Sequence, residues 1–178
     1  IAAGKYPLVE ARLAEALGIA RAYHGEDNPE LAAYRSMLAD FLDRRGRHGE
    51  AEALYRTNLA GLAVGGRKYF QVSSLLDLAS HFVRSGQLAR AREELARARA
   101  SLMDAPAETA LRWQARGDML EAQLAMAAGN PKQAVVLGTR GLAADQKSGG
   151  PQLELFGFQL FLLAANLEFF QLGQIAQA

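Results

Sequence analysis

The sequence predicts an all-α solenoid of stacked antiparallel helical hairpins, and three observations carry that prediction. Five glycines, Gly4, Gly46, Gly86, Gly129 and Gly173, stand 42, 40, 43 and 44 residues apart. Five residues after them comes a small residue in four cases, Ala51, Ala91, Ala134 and Ala178, with Val9 in the first unit. Further positions keep the same register: Ala16, Ala98 and Gly141 stand twelve residues after their glycines, and Leu17, Leu59 and Leu142 thirteen after. Between the glycines, apolar residues recur with a helical period and no stretch alternates as a strand would. Repetition at a period of this length marks an array in which each unit leaves an apolar face that only stacking can bury.

The elements follow in order. Helix 6–22 ends ahead of the turn chemistry of Gly25-Glu26-Asp27-Asn28-Pro29. Helix 29–45 carries the stripe Leu38, Phe41 and Leu42 and stops at Gly46, which accepts the left-handed C-terminal cap. Helix 48–63 starts at once. Ala51 lets the two axes approach, and Tyr55 fills the space toward the next hairpin. Gly65-Gly66 closes the unit. Helices 68–85 and 88–102 repeat the pattern around Gly86, with Leu78, Phe82 and Val83 before it and Leu95 in the position of Tyr55. After Asp104-Ala105-Pro106, helices 106–128 and 131–145 flank Gly129. Gly138 stands there where a bulky residue is expected and Glu121 where a leucine is, which predicts looser or shifted packing. Ser148-Gly149-Gly150-Pro151 leads into a helix over 151–171 with Phe156, Phe158, Phe161, Phe169 and Phe170 around most of its circumference, too many for one buried stripe. One repeat domain over 1–178 is expected, with full hairpins at 28–64, 68–102 and 106–145 and partial repeats at 1–23 and 151–178. Neither end carries a polar capping unit, so a piece of a longer protein is expected. Its last helix is then covered by a further helix or used in self-association.

Composition removes several function classes. With 178 residues, 22% charged and a formal net charge of +1, the chain has no field to recruit phosphates, so neither nucleic acid nor an anionic membrane is expected as partner. Cysteine is absent, which excludes disulfides, thiolate metal sites and a cysteine nucleophile and suits a reducing, cytoplasmic setting. The opening Ile1-Ala2-Ala3-Gly4 shows no signal-peptide pattern. The most apolar stretch, the thirteen residues Leu155 to Leu167, is shorter than the roughly 20 that span a bilayer. The excess of Arg over Lys, with abundant Ala, Gly and Leu, points to a GC-rich bacterial gene.

No motif for chemistry stands out. His24, His48 and His81 fall on separate hairpins with no pair at i, i+4, so no metal is expected. His24 with Glu26 and Asp27 lies in an inter-repeat loop, His48 begins a helix and His81 lines a repeat face. Gly65-Gly66-Arg67-Lys68 lacks phosphate-loop spacing, and no Gly-x-Ser-x-Gly elbow occurs. Neither an enzyme nor a cofactor is expected. In the Arg-rich stretch from Ala89 to Arg99, Glu93 and Glu94 sit at i, i+4 and i, i+3 to Arg97 and make it a self-neutralised, solvated face.

The unit from Leu38 to Leu59, with Leu38-Ala39, Gly46, Ala51 and Tyr55, resembles the tetratricopeptide repeat. The period, longer than that family's usual 34 or so, is similar to the kinesin-light-chain subtype. So are Leu17-Gly18-Ile19-Ala20-Arg21 and Gly25-Glu26-Asp27-Asn28-Pro29-Glu30-Leu31-Ala32. The resemblance implies a right-handed superhelix in which the first helix of each hairpin lines a concave groove that receives peptides or partner helices. Carried onto this chain, the groove positions are Ala33, Ser36, Met37, Asp40, Asp43 and Arg44, then Ser73, Leu76, Asp77, Ser80, Val83 and Arg84. Arg116, Met119, Leu120, Gln123 and Met126 follow, and last Leu160, Leu163, Leu167 and Phe170. The carboxylate clamp of chaperone-binding members is absent, with Ser36, Asp40 and Asp77 at its positions. The paired asparagines of kinesin light chains are replaced by Ser36-Met37 and Leu76-Asp77.

A protein or peptide partner is expected, either an amphipathic helix or a peptide with a basic segment, met by adaptable methionines at the apolar end. The alternative for the charges is that Asp40–Arg44 and Asp77–Arg84 neutralise one another within the scaffold. The implied role is an interaction scaffold, the sensory or adaptor part of a larger bacterial signalling or regulatory protein. The other reading is a peptide-responsive receptor that controls an attached effector or DNA-binding domain.

Overall fold

Helix termination sets the repeat. The computed structural model describes residues 6–26, 28, 30–63, 68–103 and 105–148. Among them it shows seven helices and no strand: α1 (Tyr6–His24), α2 (Glu30–Arg44), α3 (His48–Ala63), α4 (Lys68–Arg84), α5 (Leu88–Ser101), α6 (Ala107–Ala127) and α7 (Pro131–Ser148). Each hairpin turns on a glycine with positive φ, 77° at Gly46, 75° at Gly86 and 72° at Gly129. All three close the same double-bonded cap. The Gly46 N–H donates to the Asp43 carbonyl and the Arg47 N–H to that of Leu42, both at 3.0 Å. Gly86 and Gln87 do the same toward Val83 and Phe82, and Gly129 and Asn130 toward Met126 and Ala125.

The residue after each glycine is already the start of the next helix. The Arg47, Gln87 and Asn130 carbonyls accept from the N–H groups of Ala51, Ala91 and Ala134. Those three alanines are fully buried, so the small residue in the register is the point where the two helices touch. At the start of α2, Asn28 caps the helix with its side chain, Oδ1 accepting from the Glu30 N–H at 2.9 Å.

Stacking then joins the hairpins α2–α3, α4–α5 and α6–α7. The first helices touch one another, α2 on α4 and α4 on α6, whereas α1, α3 and α5 each reach the first helix that follows. The first-helix layer is therefore the more closely spaced, inner side of the array. One core runs through α2 to α6, with Leu42, Tyr55, Leu75, Leu76, Leu78, Phe82, Leu95, Leu120 and Leu124 among its buried residues. Each such side chain contributes about 1.5–3 kcal/mol when fully buried. Tyr55 and Leu95, the predicted inter-hairpin fillers, both belong to it.

Within the third hairpin, α6 and α7 are the helix pair in most extensive contact. Ala115, Ala122, Gly138, Gly141 and Ala144 are all buried, and these small residues let the two backbones close on each other. The next hairpin, toward which Gly138 is expected to leave space, lies outside the described residues. Glu121, in the leucine position, bridges Arg99 at 2.5 Å and Arg140 at 3.3 Å. Residues 151–171 lie outside the described residues, as do Gly4 and Gly173. No described helix is long and apolar enough to cross a membrane.

Candidate functional site

On the inner layer a hollow of about 600 Å³ runs across three successive first helices. Ala32, Ala33, Tyr34, Ser36 and Met37 of α2, Ser73, Ser74 and Asp77 of α4, and Trp113 of α6 line it. Five predicted groove residues, Ala33, Ser36, Met37, Ser73 and Asp77, are thus brought together. Ala33 and Met37 are exposed there, which leaves an apolar surface to be covered.

The floor of the hollow is a chain of polar groups that ties four helices together. Asn58 of α3 donates through Nδ2 to the Ala32 carbonyl at 3.0 Å and to Ser36 Oγ at 3.1 Å. Ser36 in turn donates to Asp77 Oδ2 at 2.8 Å, and Arg116 of α6 donates to Asp77 Oδ1. The Asp77 partner is therefore Arg116, and not the Arg84 that the alternative of mutually neutralised charges pairs with it. Arg84 reaches instead toward α2: its Nε donates to Asp43 Oδ2 at 2.6 Å, and Nη2 lies 3.3 Å from Asp40. Its Nη1 donates to Ser80 Oγ at 2.8 Å. Asp40 also accepts from Arg44 at 2.7 Å, the pair that the sequence foresees. Every acidic group of the expected groove already has a basic partner within the protein.

Several expected groove residues face elsewhere. Asp43, Leu76 and Leu120 are buried, because at their helical positions the side chain points into the stack. Met119 packs beside Ala115 and Ala144, and Met126 beside Ala125 and Ala134, so both methionines serve the α6–α7 contact and not a Met-rich groove end. Val83, half-buried, packs against the main core. Gln123 is half-buried on α6. Leu160, Leu163, Leu167 and Phe170 lie outside the described residues.

A second feature joins the first two full hairpins. The Asp43 side chain is fully buried and accepts three charged or polar donors. His48 Nδ1 lies 2.6 Å and His81 Nδ1 2.8 Å from the same oxygen, Oδ1, while Arg84 holds Oδ2. A carboxylate can only accept, so both rings present an N–H at Nδ1 here. Burial alone pushes the Asp43 carboxyl up, but the hydrogen bonds from His48, Arg84 and His81 outweigh it and hold the group below the usual carboxylate range. His81 is fully buried, and its Nε2 has no hydrogen-bond partner among the described residues. The atom nearest in kind is Glu52 Oε2, 3.9 Å away.

The sequence reading places the three histidines apart and misses this convergence. The signal lay in the register: Asp43 is three residues before one cap glycine, His48 two after it, and His81 five before the next. One stacking step brings those positions together. An analogous buried carboxylate, Asp118, accepts from Arg99 of α5 at 2.8 Å and from Arg140 of α7 at 2.6 and 2.7 Å, and is fully paired. Among the described residues neither buried junction presents a hydroxyl to an imidazole, so no nucleophile–base pair is assembled.

No family model matches the chain, and no curated protein matches it. Among solved structures, the crystal structure of BtubC (BKLC) from P. vanneervenii is similar, with a TM-score of 0.66 and 21% identity over 93% of this chain. The match covers 66% of that protein, so this chain spans just under two thirds of its length. At that identity the likeness carries the fold, an all-α, tetratricopeptide-like helical-repeat solenoid.

Proposed function

We propose that the chain is a protein-interaction scaffold whose partner lies in the hollow across α2, α4 and α6. The observation that carries this reading is a single concave surface shared by three successive hairpins, apolar at Ala33, Met37 and Trp113, over a floor held by the hydrogen-bonded chain from Asn58 through Ser36 and Asp77 to Arg116. A floor that needs no rearrangement lowers the ordering cost of binding. The pairing of Asp40 and Asp77 changes the partner chemistry from a basic segment to an apolar anchor. A side chain such as Leu, Ile or Phe would cover Met37 and Trp113, while the flanking backbone meets Ser36 and Ser73. In the cell, such a module serves as the adaptor part of a regulatory assembly, the role that the repeat resemblance implies.

Trp113 is the chain's single tryptophan, so its emission reports occupancy of the hollow directly. Peptides selected by display against the protein are expected to shift that emission. Met37→Glu combined with Ala33→Arg is expected to weaken them at least about tenfold, while melting changes by no more than the roughly 0.5 kcal/mol typical of exposed sites. Selected peptides that bind this double variant as tightly as the unaltered protein would place the partner surface elsewhere.

A further inference from the structure

We propose that Asp43, His48 and His81 form a binding site for one divalent transition-metal ion of the zinc class. The site lies at the junction of the first two full hairpins and is independent of the groove. Its donor atoms, two imidazole Nδ1 and one carboxylate oxygen, all lie within 4.8 Å of one another. Two imidazoles and a carboxylate form a donor set suited to zinc and its neighbours. Three protein ligands plus water complete a common tetrahedral site.

The repeat itself shows that stacking does not require these residues. At the position of Asp43, relative to its cap glycine, the other two hairpins carry Val83 and Met126. At that of His48 they carry Leu88 and Pro131, and at that of His81, Phe41 and Leu124. Among the described residues, the other hairpins carry apolar residues at all three positions. A buried carboxylate and two imidazoles in place of an apolar contact carry a desolvation cost that packing alone does not explain.

The His81 ring supplies an independent observation. The buried Nε2 lies 3.9 Å from the Glu52 carboxylate with no hydrogen-bond partner among the described residues, while the ring's hydrogen on Nδ1 is directed at Asp43. A metal on Nδ1 moves that hydrogen to Nε2, where Glu52 becomes its acceptor. Histidine ligands characteristically donate their other ring hydrogen to a carboxylate in this way. Arg84 keeps Oδ2 occupied, which leaves Oδ1 to coordinate through one oxygen.

The Arg84 charge is met in turn by Asp40, 3.3 Å away. His48, with its side chain 43% exposed at the first turn of α3, gives the ion a way in and a face for water. Donor separations must widen from 2.6 and 2.8 Å to about 3.3 Å, as metal–nitrogen bonds of about 2.0–2.1 Å require. The exposed His48 can make most of that movement. On binding, each ring coordinates through Nδ1 and carries its single hydrogen on Nε2, Asp43 stays a carboxylate, and no electron is transferred.

The test uses tag-free protein titrated with Co²⁺ and Zn²⁺, read by cobalt visible absorption, Zn²⁺ competition and long-range nitrogen–proton NMR of the imidazoles. One equivalent of Zn²⁺ is expected to bind and to move the His81 hydrogen from Nδ1 to Nε2. Glu52→Gln is expected to weaken binding about tenfold, as for other outer hydrogen-bond partners. His48→Gln should weaken it by more than about 100-fold, beyond the range of such outer partners. His81→Phe, which copies Phe41, should do the same if the His48 variant folds poorly. His24→Ala is expected to change nothing. Absence of saturable binding overturns the site, as does undiminished affinity in His48→Gln and His81→Phe, or a His81 hydrogen that stays on Nδ1 with Zn²⁺ bound.

Discussion

Two buried aspartates show how a single residue can act in opposite directions. Asp43 has three donors, and its folded pKa is depressed. Its contribution is therefore fully present above the ordinary unfolded value of about 3.9, and is lost as pH falls through the folded value. Asp43→Asn removes the charge that three donors share and should cost about 1.5–3 kcal/mol at pH 7, the scale of a hydrogen bond to a charged group. Asp145 is buried near the end of α7, with Oδ1 unbonded among the described residues. Burial raises its pKa and Arg112 offsets only part of that. Here ionisation costs stability, so the penalty is absent in acid and grows as pH rises from the unfolded value through the folded one. Its place by the negative end of the helix dipole adds to the cost. Asp145→Asn is expected to raise the melting temperature at pH 7 and to lose that advantage near pH 3; a lower melting temperature at pH 7 would refute the assignment. Neither aspartate can be ranked by sequence alone. Asp43 reads as one more polar groove residue, because its donors His81 and Arg84 come from another hairpin, 38 and 41 positions away.

The elements were the most legible part of the sequence, because their ends are written in local chemistry. Each cap glycine fixes where one helix stops and, one residue later, where the next begins, so the predicted 29–45 and 48–63 became Glu30–Arg44 and His48–Ala63. The expected effect of Gly86→Ala follows from the same geometry. An added Cβ meets nothing within 4 Å, so the change is not a clash. The left-handed backbone alone costs a non-glycine residue about 1–2 kcal/mol. A melting study should find that loss at Gly46, Gly86 and Gly129 alike. A neutral substitution at any of them would mean that the turn can relax out of its double-bonded cap. Packing between elements was less legible. Gly138 is one of several small residues on facing helices, and closeness of that kind emerges only when both faces are placed together. The methionines of α6 misled for the same reason: periodicity gives the angle of a side chain around its helix but not which neighbour arrives there.

At the scale of the molecule, stability should behave as a chain of neighbour contacts and not as one indivisible core. α4 touches α2, α3, α5 and α6, and it supplies Val72, Leu75, Leu76, Leu78, Ala79 and Phe82 to the main cluster. α1 touches α2 through a small separate cluster of Leu17, Ala20 and Leu31. In an array whose units contact only their neighbours, damage spreads as far as the lost contacts reach. Phe82→Ala empties the centre and should cost about 3–5 kcal/mol, with hydrogen-exchange protection falling from α2 through α6. Leu17→Ala, which costs about 2–5 kcal/mol locally, should speed exchange in α1 and the facing turns of α2 while α4 to α7 keep theirs. If Leu17→Ala instead lowers protection evenly along the chain, the hairpins unfold together. The polar junctions at Asp43 and Asp118 would then be what locks them into one unit, since each spans two hairpins where apolar contact alone would let them part. Repeating the exchange experiment with Asp43→Asn in the Leu17→Ala background separates the two accounts. In a neighbour-limited array, Asp43→Asn speeds exchange only in the helices around its own junction.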